Sequence, residues 1–386
     1  MKACQAEIKV KMEHPELTGN RLYRQIEENY WSYHREDSGV TVEYANDIPV
    51  DKFSSGFPIT GEYADHSWNM NAMNLKPGTL LQFWKNKSFS GITKPWVYIS
   101  HPYSSFCWHY EDMMMYSINY MHEGAGKVWY VIPDSQRTNF EKYARKRYRQ
   151  IFWKDPAILT ALNLQISPVD LARAGVKVYR TIQKQGEFIL TFPGSYHSGV
   201  SVGYTMAEAI NFTSSSWLKH CEKSIQICKN GGVKRPIFPM EWMIIENIKN
   251  FDSINLDLAS KKEIFKYFEK WLKVELKERQ LVFQELGQKV KDVEPYIFSF
   301  KNRKNIQEDR FEWAICTNLC YMSIIKWTDC KIIYCLSHGI CCECNPKSLK
   351  LILRYSSDEL LSLKASSKAH ILRYEKGHKK RRLQKV

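Results

Sequence analysis

No run of eighteen apolar residues occurs anywhere in the 386-residue chain, which argues against a membrane-spanning helix. The N-terminal stretch MKACQAEIKVKMEHPEL lacks the apolar centre of a signal peptide. Without a leader, the eleven cysteines do not suggest a disulfide framework; they point to a reducing compartment and to metal binding. Acidic residues are in short supply, 41 against 56 Lys and Arg, for a formal net charge of +15. That balance calls for a polyanionic partner or surface. Neither internal repeats nor a long low-complexity segment is present, and 44% hydrophobic residues suffice for a sizeable core.

Short strand-like runs fill the first half: Val40–Ala45, Trp96–Ser100, Lys127–Pro133, Val176–Ile182 and Glu187–Phe192. Turn signals separate many of them, including Pro77-Gly78, Gly124-Ala125-Gly126 and Pro193-Gly194. The pattern predicts an antiparallel sandwich or barrel. A helix is expected over Arg21–Tyr33, with Leu22, Ile26, Tyr30 and Tyr33 on one face, and a helical insert around Ser135–Ala161. After about Lys219 the character changes. SKKEIFKYFEKWLKVELKERQLVFQELG predicts one long helix, opened by a Ser260/Glu263 capping box and stopped at Gly287.

His109 and Glu111 stand two apart in the aromatic run SSFCWHYEDMMMYSINY. On a strand, residues two apart project to the same side. That suits two ligands of one metal, with His197 in TFPGSYHSGV the best third. Two histidines and a carboxylate make the facial triad of non-haem Fe(II) oxygenases. Spacing alone is a weak signal and favours a core-edge His109 bonded to a nearby carboxylate over a metal ligand. Met113, Met114 and Met115 fill core or pocket-edge space.

The longer motifs FCWHYED, YSINYMH, KVWYVIP, GEFILTFPGSYHSG and AEAINF together resemble the Jumonji C (JmjC) domain. They are closest to the JARID branch of histone lysine demethylases. The resemblance extends upstream through VEYANDIPVDKFSSGFP and HSWNMNAM, and downstream to CLSHGICCEC and LILRYSSDELLSL, covering about Tyr30 to Leu363. It implies an α+β fold: a double-stranded β-helix (a jelly roll, cupin-like) with flanking helices, a C-terminal helical region and a small zinc module. It implies Fe(II) held by His109, Glu111 and His197, and 2-oxoglutarate paired with Lys127. Tyr44 and Asn119 match polar contacts to that cosubstrate, and Phe106 and Trp129 its aromatic walls, although both also suit any sandwich core. Tyr98 and Asn211 match residues near a methyl-lysine pocket, with a histone H3 tail as substrate, lysine four favoured, and a nuclear setting. A silent chromatin scaffold and a protein hydroxylase remain as rival readings.

The chain departs from active relatives at three points. Ser201 stands where they carry an asparagine that touches the cosubstrate. Ser100 and His101 replace Gly-Met. No JmjN, ARID or PHD segment is recognisable, as for a fragment or a reduced paralogue.

Cys316, Cys320, Cys330, Cys335, His338, Cys341, Cys342 and Cys344 lie within one short stretch. Structural zinc takes four such ligands, so one Zn(II) is expected and two are possible. The ligands selected are Cys316, Cys320, Cys330, Cys335, His338, Cys342 and Cys344; by register, Trp313 and Trp327 replace two family cysteines. The run Lys379–Arg382 lies in a basic tail that suits nuclear import or contact with DNA or a nucleosome. The expected organisation is a lead-in at 1–39, the JmjC domain at 40–220, a helical linker at 221–310, the zinc finger at 311–346 and a terminal segment at 347–386.

Overall fold

Polar–apolar alternation in the first half produces nine strands among the described residues. In chain order they are β1 (Tyr44–Pro49), β2 (Trp96–Ser100), β3 (Ser105–His109), β4 (Tyr116–Gly124), β5 (Lys127–Ile132), β6 (Tyr179–Gln183), β7 (Phe188–Thr191), β8 (Tyr196–Ser201) and β9 (Thr205–Phe212). The structure is a computed structural model. It describes residues 10, 12–36, 41–84, 89–156, 158–159, 164–229, 234–289, 296–297, 311–312, 319–330, 332–339, 344–345 and 348–383. The chain divides into one unit of residues 1–76 and 84–213 and another of 77–83 and 214–386.

In the first unit the strands form two antiparallel sheets, a five-stranded one in the order β1-β2-β9-β4-β7 and a four-stranded one in the order β3-β8-β5-β6. This is the expected α+β jelly roll. Because side chains alternate between faces, each sheet has an outer face to cover. On the four-stranded sheet that is done by helix α1 (Gly19–Glu36), which buries Leu22, Ile26, Glu27, Tyr30 and Trp31. Trp31 Nε1 donates to Tyr130 Oη at 2.9 Å, Tyr130 donates to Glu27 Oε1 at 2.6 Å, and Arg180 closes on the same carboxylate. A buried carboxylate is tolerable only when its lone pairs are met in this way. Helices α2 (Arg137–Arg147) and α3 (Arg149–Lys154) follow, Phe140 of α2 packing on Trp108 and Tyr196.

Residues 50–76 cover the outer face of the five-stranded sheet. Phe57 packs on Tyr120 and Trp68 on Phe188. Glu208, fully buried, accepts from Ser55 Oγ and the Gly56 N–H and pairs with His122 Nε2 at 3.1 Å.

Two strands differ from expectation. The first begins at Tyr44 rather than Val40. β6 begins at Tyr179 rather than Val176, because Val176 N–H bonds back to Leu171 and finishes α4 (Pro168–Arg173), with Gly175 at φ +80° in the turn.

The second unit contains α5 (Leu218–Lys229), α6 (Met240–Lys249), α7 (Leu258–Lys289) and α8 (Ser357–Leu383). The predicted long helix is α7, but its cap is Asp257. The Ser260 N–H donates to Asp257 Oδ1 at 2.7 Å, so Ser260 sits at the third helical position and Gly287 lies inside the helix. Short strands β10 (Tyr296–Ile297), β11 (Phe311–Glu312), β12 (Leu319–Cys320), β13 (Ser323–Trp327), β14 (Ile333–Tyr334) and β15 (Leu349–Leu353) follow α7, and β10, β15, β13 and β14 share a sheet in that order. Arg279 of α7, fully buried, donates to Glu275 and to Ser323 Oγ of β13, tying that sheet to the helix.

Gly199 lies in the middle of β8, where an added Cβ would meet Phe106 ring atoms and the Val128 carbonyl oxygen at 2.6 Å. The carbonyl belongs to the neighbouring strand and cannot move aside. Gly199→Ala should therefore cost about 1–3 kcal/mol and lower the thermal midpoint by roughly 2–10 °C. An unchanged midpoint in calorimetry would show that the sheet yields there.

Candidate active site

β3 and β8 are paired so that His109 faces His197, with Phe106 opposite Gly199 and Ser105 opposite Val200. His109 lies three positions after Phe106, but Gly199 only two after His197, so β3 carries a bulge between its two inward residues. In a regular strand, Phe106 and His109 would face opposite ways. The bulge puts both inside, and their rings meet edge to face at 5.8 Å.

β3 ends at His109, so Glu111 lies just past the strand, whereas the sequence pattern predicted both residues on one strand. Its backbone remains extended (φ −64°, ψ 156°), which keeps it on the same side as His109. Met113 and Met114 then take positive φ, at 49° and 53°, both buried. Two left-handed non-glycine residues cost on the order of 1–3 kcal/mol each. Tight burial holds this turn, which reverses the chain from Glu111 into β4.

One ligand atom each of His109, Glu111 and His197 lies within 4.8 Å of the others, the single such group among the described residues. His197 Nε2 is 3.1 Å from Glu111 Oε1. His109 Nδ1 lies 2.8 Å from the Cys107 carbonyl, and His197 Nδ1 lies 3.4 Å from that of Ser195. Both rings are thereby oriented with Nε2 facing inward, as in metal-binding histidines. Asn211 Nδ2 donates to Glu111 Oε2 at 2.9 Å, which places Asn211 against the ligand carboxylate. Burial alone would raise the Glu111 carboxyl. The hydrogen bond from His197, the two imidazoles and Asn211 outweigh burial and hold it well below the usual carboxylate range.

Deeper in, Lys127 of β5 is paired with Ser201 of β8, and Trp129 with Gly199. Lys127 is only 2% exposed. Burial pushes its ammonium down to about 8, and no carboxylate opposes that effect. Ser201 Oγ and Thr205 Oγ1, at the same end of the barrel, are buried without a hydrogen-bond partner. Gln183 bridges the two sheets, accepting from Trp129 Nε1 at 2.9 Å and donating to Asn119 Oδ1 at 3.0 Å. Phe106 and Trp129 pack on each other and on His197. A buried cation with unused hydroxyls beside it fits an anionic carboxylate. A cluster of two imidazoles and a carboxylate fits a divalent metal with open positions.

At β1 and β2, Tyr98 Oη donates to Asp47 Oδ1 at 2.8 Å, and the Tyr44 ring is 6.4 Å from that of Tyr98. Burial raises Tyr98 well above the usual phenol range, and the charges of Asp47 and Glu111 add to it. Asp47 was not among the residues selected from sequence. Its φ of 54°, at the irregularity between Ala45 and Ile48, turns it to meet Tyr98. The Asn46-Asp47 dipeptide was the available signal, since these residues tolerate that backbone. Gln183 was also missed; nothing in VYRTIQ distinguishes it from a surface residue.

In the second unit, Cys335 Sγ lies 3.0 Å from His338 Nδ1. Cys320 packs with Cys335, while Cys330 and Cys344 pack against the cluster around Trp327 and Leu336. A thiol and an imidazole in contact at this spacing fit a zinc-ligand pair. Trp327 is buried and donates Nε1 to the Gly339 carbonyl. Cys316, Cys341 and Cys342 lie outside the described residues.

Residues 96–212 match the family described as JmjC domain, hydroxylase, and residues 314–363 match the C5HC2 zinc finger. Lysine-specific demethylase JMJ17 of Arabidopsis thaliana is 31% identical over 361 residues, 87% of this chain and 28% of that protein. Lysine-specific demethylase 5D of Homo sapiens is 33% identical over 351 residues, 87% of this chain and 22% of that protein. Putative lysine-specific demethylase JMJ16 of Arabidopsis thaliana is 38% identical over 218 residues. The chain thus spans 28% or less of the length of these relatives.

Replacing Lys127 gives a test that is independent of turnover. Its pKa is depressed from 10.5 to about 8, so between those values the unfolded chain holds a proton that the folded one does not. Stability of the ligand-free protein therefore rises with pH across that window, and the burial cost, about 3 kcal/mol, is fully present below it. Lys127→Met should raise the ligand-free midpoint at pH 7 and abolish 2-oxoglutarate binding by calorimetry. A lowered midpoint with binding retained would refute the assignment. Asn211→Ala should weaken Mn(II) binding by about 10–100-fold, read by titration calorimetry.

The chain thus carries a JmjC domain whose residues fit Fe(II) and 2-oxoglutarate, followed by a C5HC2 zinc finger, an arrangement consistent with a JmjC protein of the JARID type.

Proposed function

We propose that this chain is an Fe(II)- and 2-oxoglutarate-dependent oxygenase that demethylates methyl-lysine on histone H3, lysine four favoured, and works in the nucleus on chromatin. The observation that carries this reading is the His109–Glu111–His197 cluster placed in one barrel with a buried, uncompensated Lys127. Iron and 2-oxoglutarate, when bound, would use dioxygen to hydroxylate an N-methyl group, which would leave as formaldehyde, while the keto acid would lose carbon dioxide to become succinate.

The chain's own residues bind, orient and exclude water. His109, Glu111 and His197 ligate the metal; the carbonyls of Cys107 and Ser195 and the Asn211 amide fix their orientation. Lys127 neutralises the far carboxylate of the cosubstrate, with Ser201, Asn119 and Tyr44 as polar neighbours. Ser201 offers one hydroxyl in place of the longer amide of active relatives. Phe106 and Trp129 wall off water, which strengthens each charge interaction inside. Tyr98 and Asp47 border the methyl-lysine side, where an aromatic face and a carboxylate attract an ammonium. Cys335 and His338 bind zinc with partners from Cys316, Cys320, Cys330, Cys342 and Cys344, and the basic run Lys379–Arg382 contacts DNA or a nucleosome.

Protein supplied with Fe(II), ascorbate, 2-oxoglutarate and a histone H3 peptide trimethylated at lysine four should yield succinate and formaldehyde. His109→Ala should abolish both. Succinate without formaldehyde would point to a hydroxylase, and neither product from folded, metal-loaded protein would point to a scaffold. Asp47→Asn should raise KM for the methylated peptide about five-fold, the size of ~1 kcal/mol from one exposed charge pair, with kcat within two-fold. A change confined to kcat would remove Asp47 from the substrate side.

A further inference from the structure

The helical insert carries charge of one sign. Between Arg137 and Lys154 the sequence RTNFEKYARKRYRQIFWK holds seven basic residues and one acid. The acid, Glu141, is already engaged, accepting from Tyr196 Oη at 3.0 Å and pairing with Arg137 at 3.3 Å. Arg137 is buried, stacked over Tyr110 and Tyr196. The other six, Lys142, Arg145, Lys146, Arg147, Arg149 and Lys154, are exposed, and none forms an ion pair among the described residues.

Their placement follows from how α2 is held. Arg137, Phe140 and Ala144 form its buried face, so the helical period turns Lys142, Arg145 and Lys146 outward. Arg149 and Lys154 add two more exposed cations on α3, beyond the roughly 16 Å spanned by the eleven residues of α2. Arg145 lies over the Phe152 ring at 4.9 Å and Arg147 over Tyr148 at 5.3 Å, which steadies two of the guanidinium groups. Trp153 stands 83% exposed at the end of the series. Asp170 of α4 acts on Tyr148 but is answered by Arg173 at 3.7 Å.

An ordinary solvated helix face mixes signs, each charge offsetting its neighbours. Here like charges predominate, and among the described residues no acid forms an ion pair with the six. We propose that this face of α2 and α3 docks the phosphate backbone of duplex DNA. A duplex presents the dense line of negative charge that a rigid row of cations matches. An anionic membrane fits less well, because the exposed apolar residues here amount to Ile151 and Trp153, not a continuous apolar stripe. A single strand would call for several stacking rings in a row, and only Trp153 projects. The surface is far in sequence from the basic run Lys379–Arg382 and does not depend on catalysis.

The test uses the full chain and a fluorescein-labelled 20-base-pair duplex of arbitrary sequence, read by anisotropy from 50 to 200 mM KCl. The wild type should bind with a steep salt dependence. Lys142→Glu/Arg145→Glu/Lys146→Glu should lose at least ten-fold in affinity at low salt and flatten the log–log slope by about 3, close to one unit per lost phosphate contact. Its Mn(II) affinity should stay within two-fold of wild type, which shows that the barrel is intact. Should that variant fail to fold, the milder Lys142→Gln/Arg145→Gln/Lys146→Gln must give the same direction of change. Substituting alanine across Lys379–Arg382 must leave the effect of the triple substitution in place. Unchanged affinity in a folded triple variant, or a loss that vanishes once the tail is neutralised, would overturn the proposal. So would tighter binding to single-stranded RNA or to phosphatidylserine vesicles than to the duplex.

Discussion

His109 and His197 face each other across one rung of an antiparallel ladder, ring centroids 4.2 Å apart. Two imidazoles this close in a dry interior repel when both are protonated and gain little when neutral. The arrangement makes sense if a cation is to sit between them and Glu111. Much of the surrounding structure enforces it. The β3 bulge aims His109 inward without turning Phe106 out. Gly199 leaves room for the Phe106 ring, since any Cβ there would strike it. The strained Met113–Met114 turn ends the strand soon enough for Glu111 to reach His197. Asn211 on β9 then holds the second carboxylate oxygen, so both sheets contribute to one site.

The same interior contains polar groups left unmatched by the protein itself. Among the described residues Lys127 is buried without a counterion, and Ser201 and Thr205 keep unused hydroxyls. Each of these weakens the ligand-free fold. Contrast Glu27 and Glu208, equally buried acids on the outer faces of the two sheets. Both are met on several sides, Glu27 by Tyr130 and Arg180, Glu208 by Ser55, Gly56 and His122. One barrel thus separates two kinds of buried charge. Outward-facing ones are satisfied and fasten the flanking segments, whereas inward-facing ones await a ligand. The distinction lends weight to Lys127 as a binding residue, since a structural lysine would be paired as those acids are.

Much of this was legible in the sequence, because strand alternation and turn residues are local. The strands at Trp96–Ser100 and Lys127–Ile132 and helix α1 read almost directly. The His-x-Glu pair was visible too, though as a strand pattern, when Glu111 in fact lies beyond the strand end. What sequence could not supply was register. The pairing of β3 with β8 joins residues some ninety apart, and the bulge appears only once that pairing is formed. Asn211 was selected for the substrate side, yet its amide meets Glu111, a contact fixed by β4–β9 pairing and not by any local motif. Capping misled for a different reason: Ser260 and Asp257 are both good caps, and the helix took the earlier one.

Residues outside the barrel strands belong to its stability. Ser55 and Gly56 bind Glu208 of β9, and Asn69 donates to the carbonyls of Pro58, Tyr63 and Ala64, organising the 50–76 segment against the sheet. His122 stacks edge-on between Phe57 and Tyr120 while paired with Glu208. It sits one residue beyond the inward position of Met121 and so faces away from the metal site, which explains why a second histidine so near in sequence is not a ligand. Glu27 ties α1 to β5 and β6 in the same manner. Lys127 and Trp129 lie on β5, so the helix that precedes the strands helps to hold the strand that carries them. A chain cut at the first strand would expose Tyr130, leave Arg180 without its partner Glu27 and loosen the strand that carries Lys127.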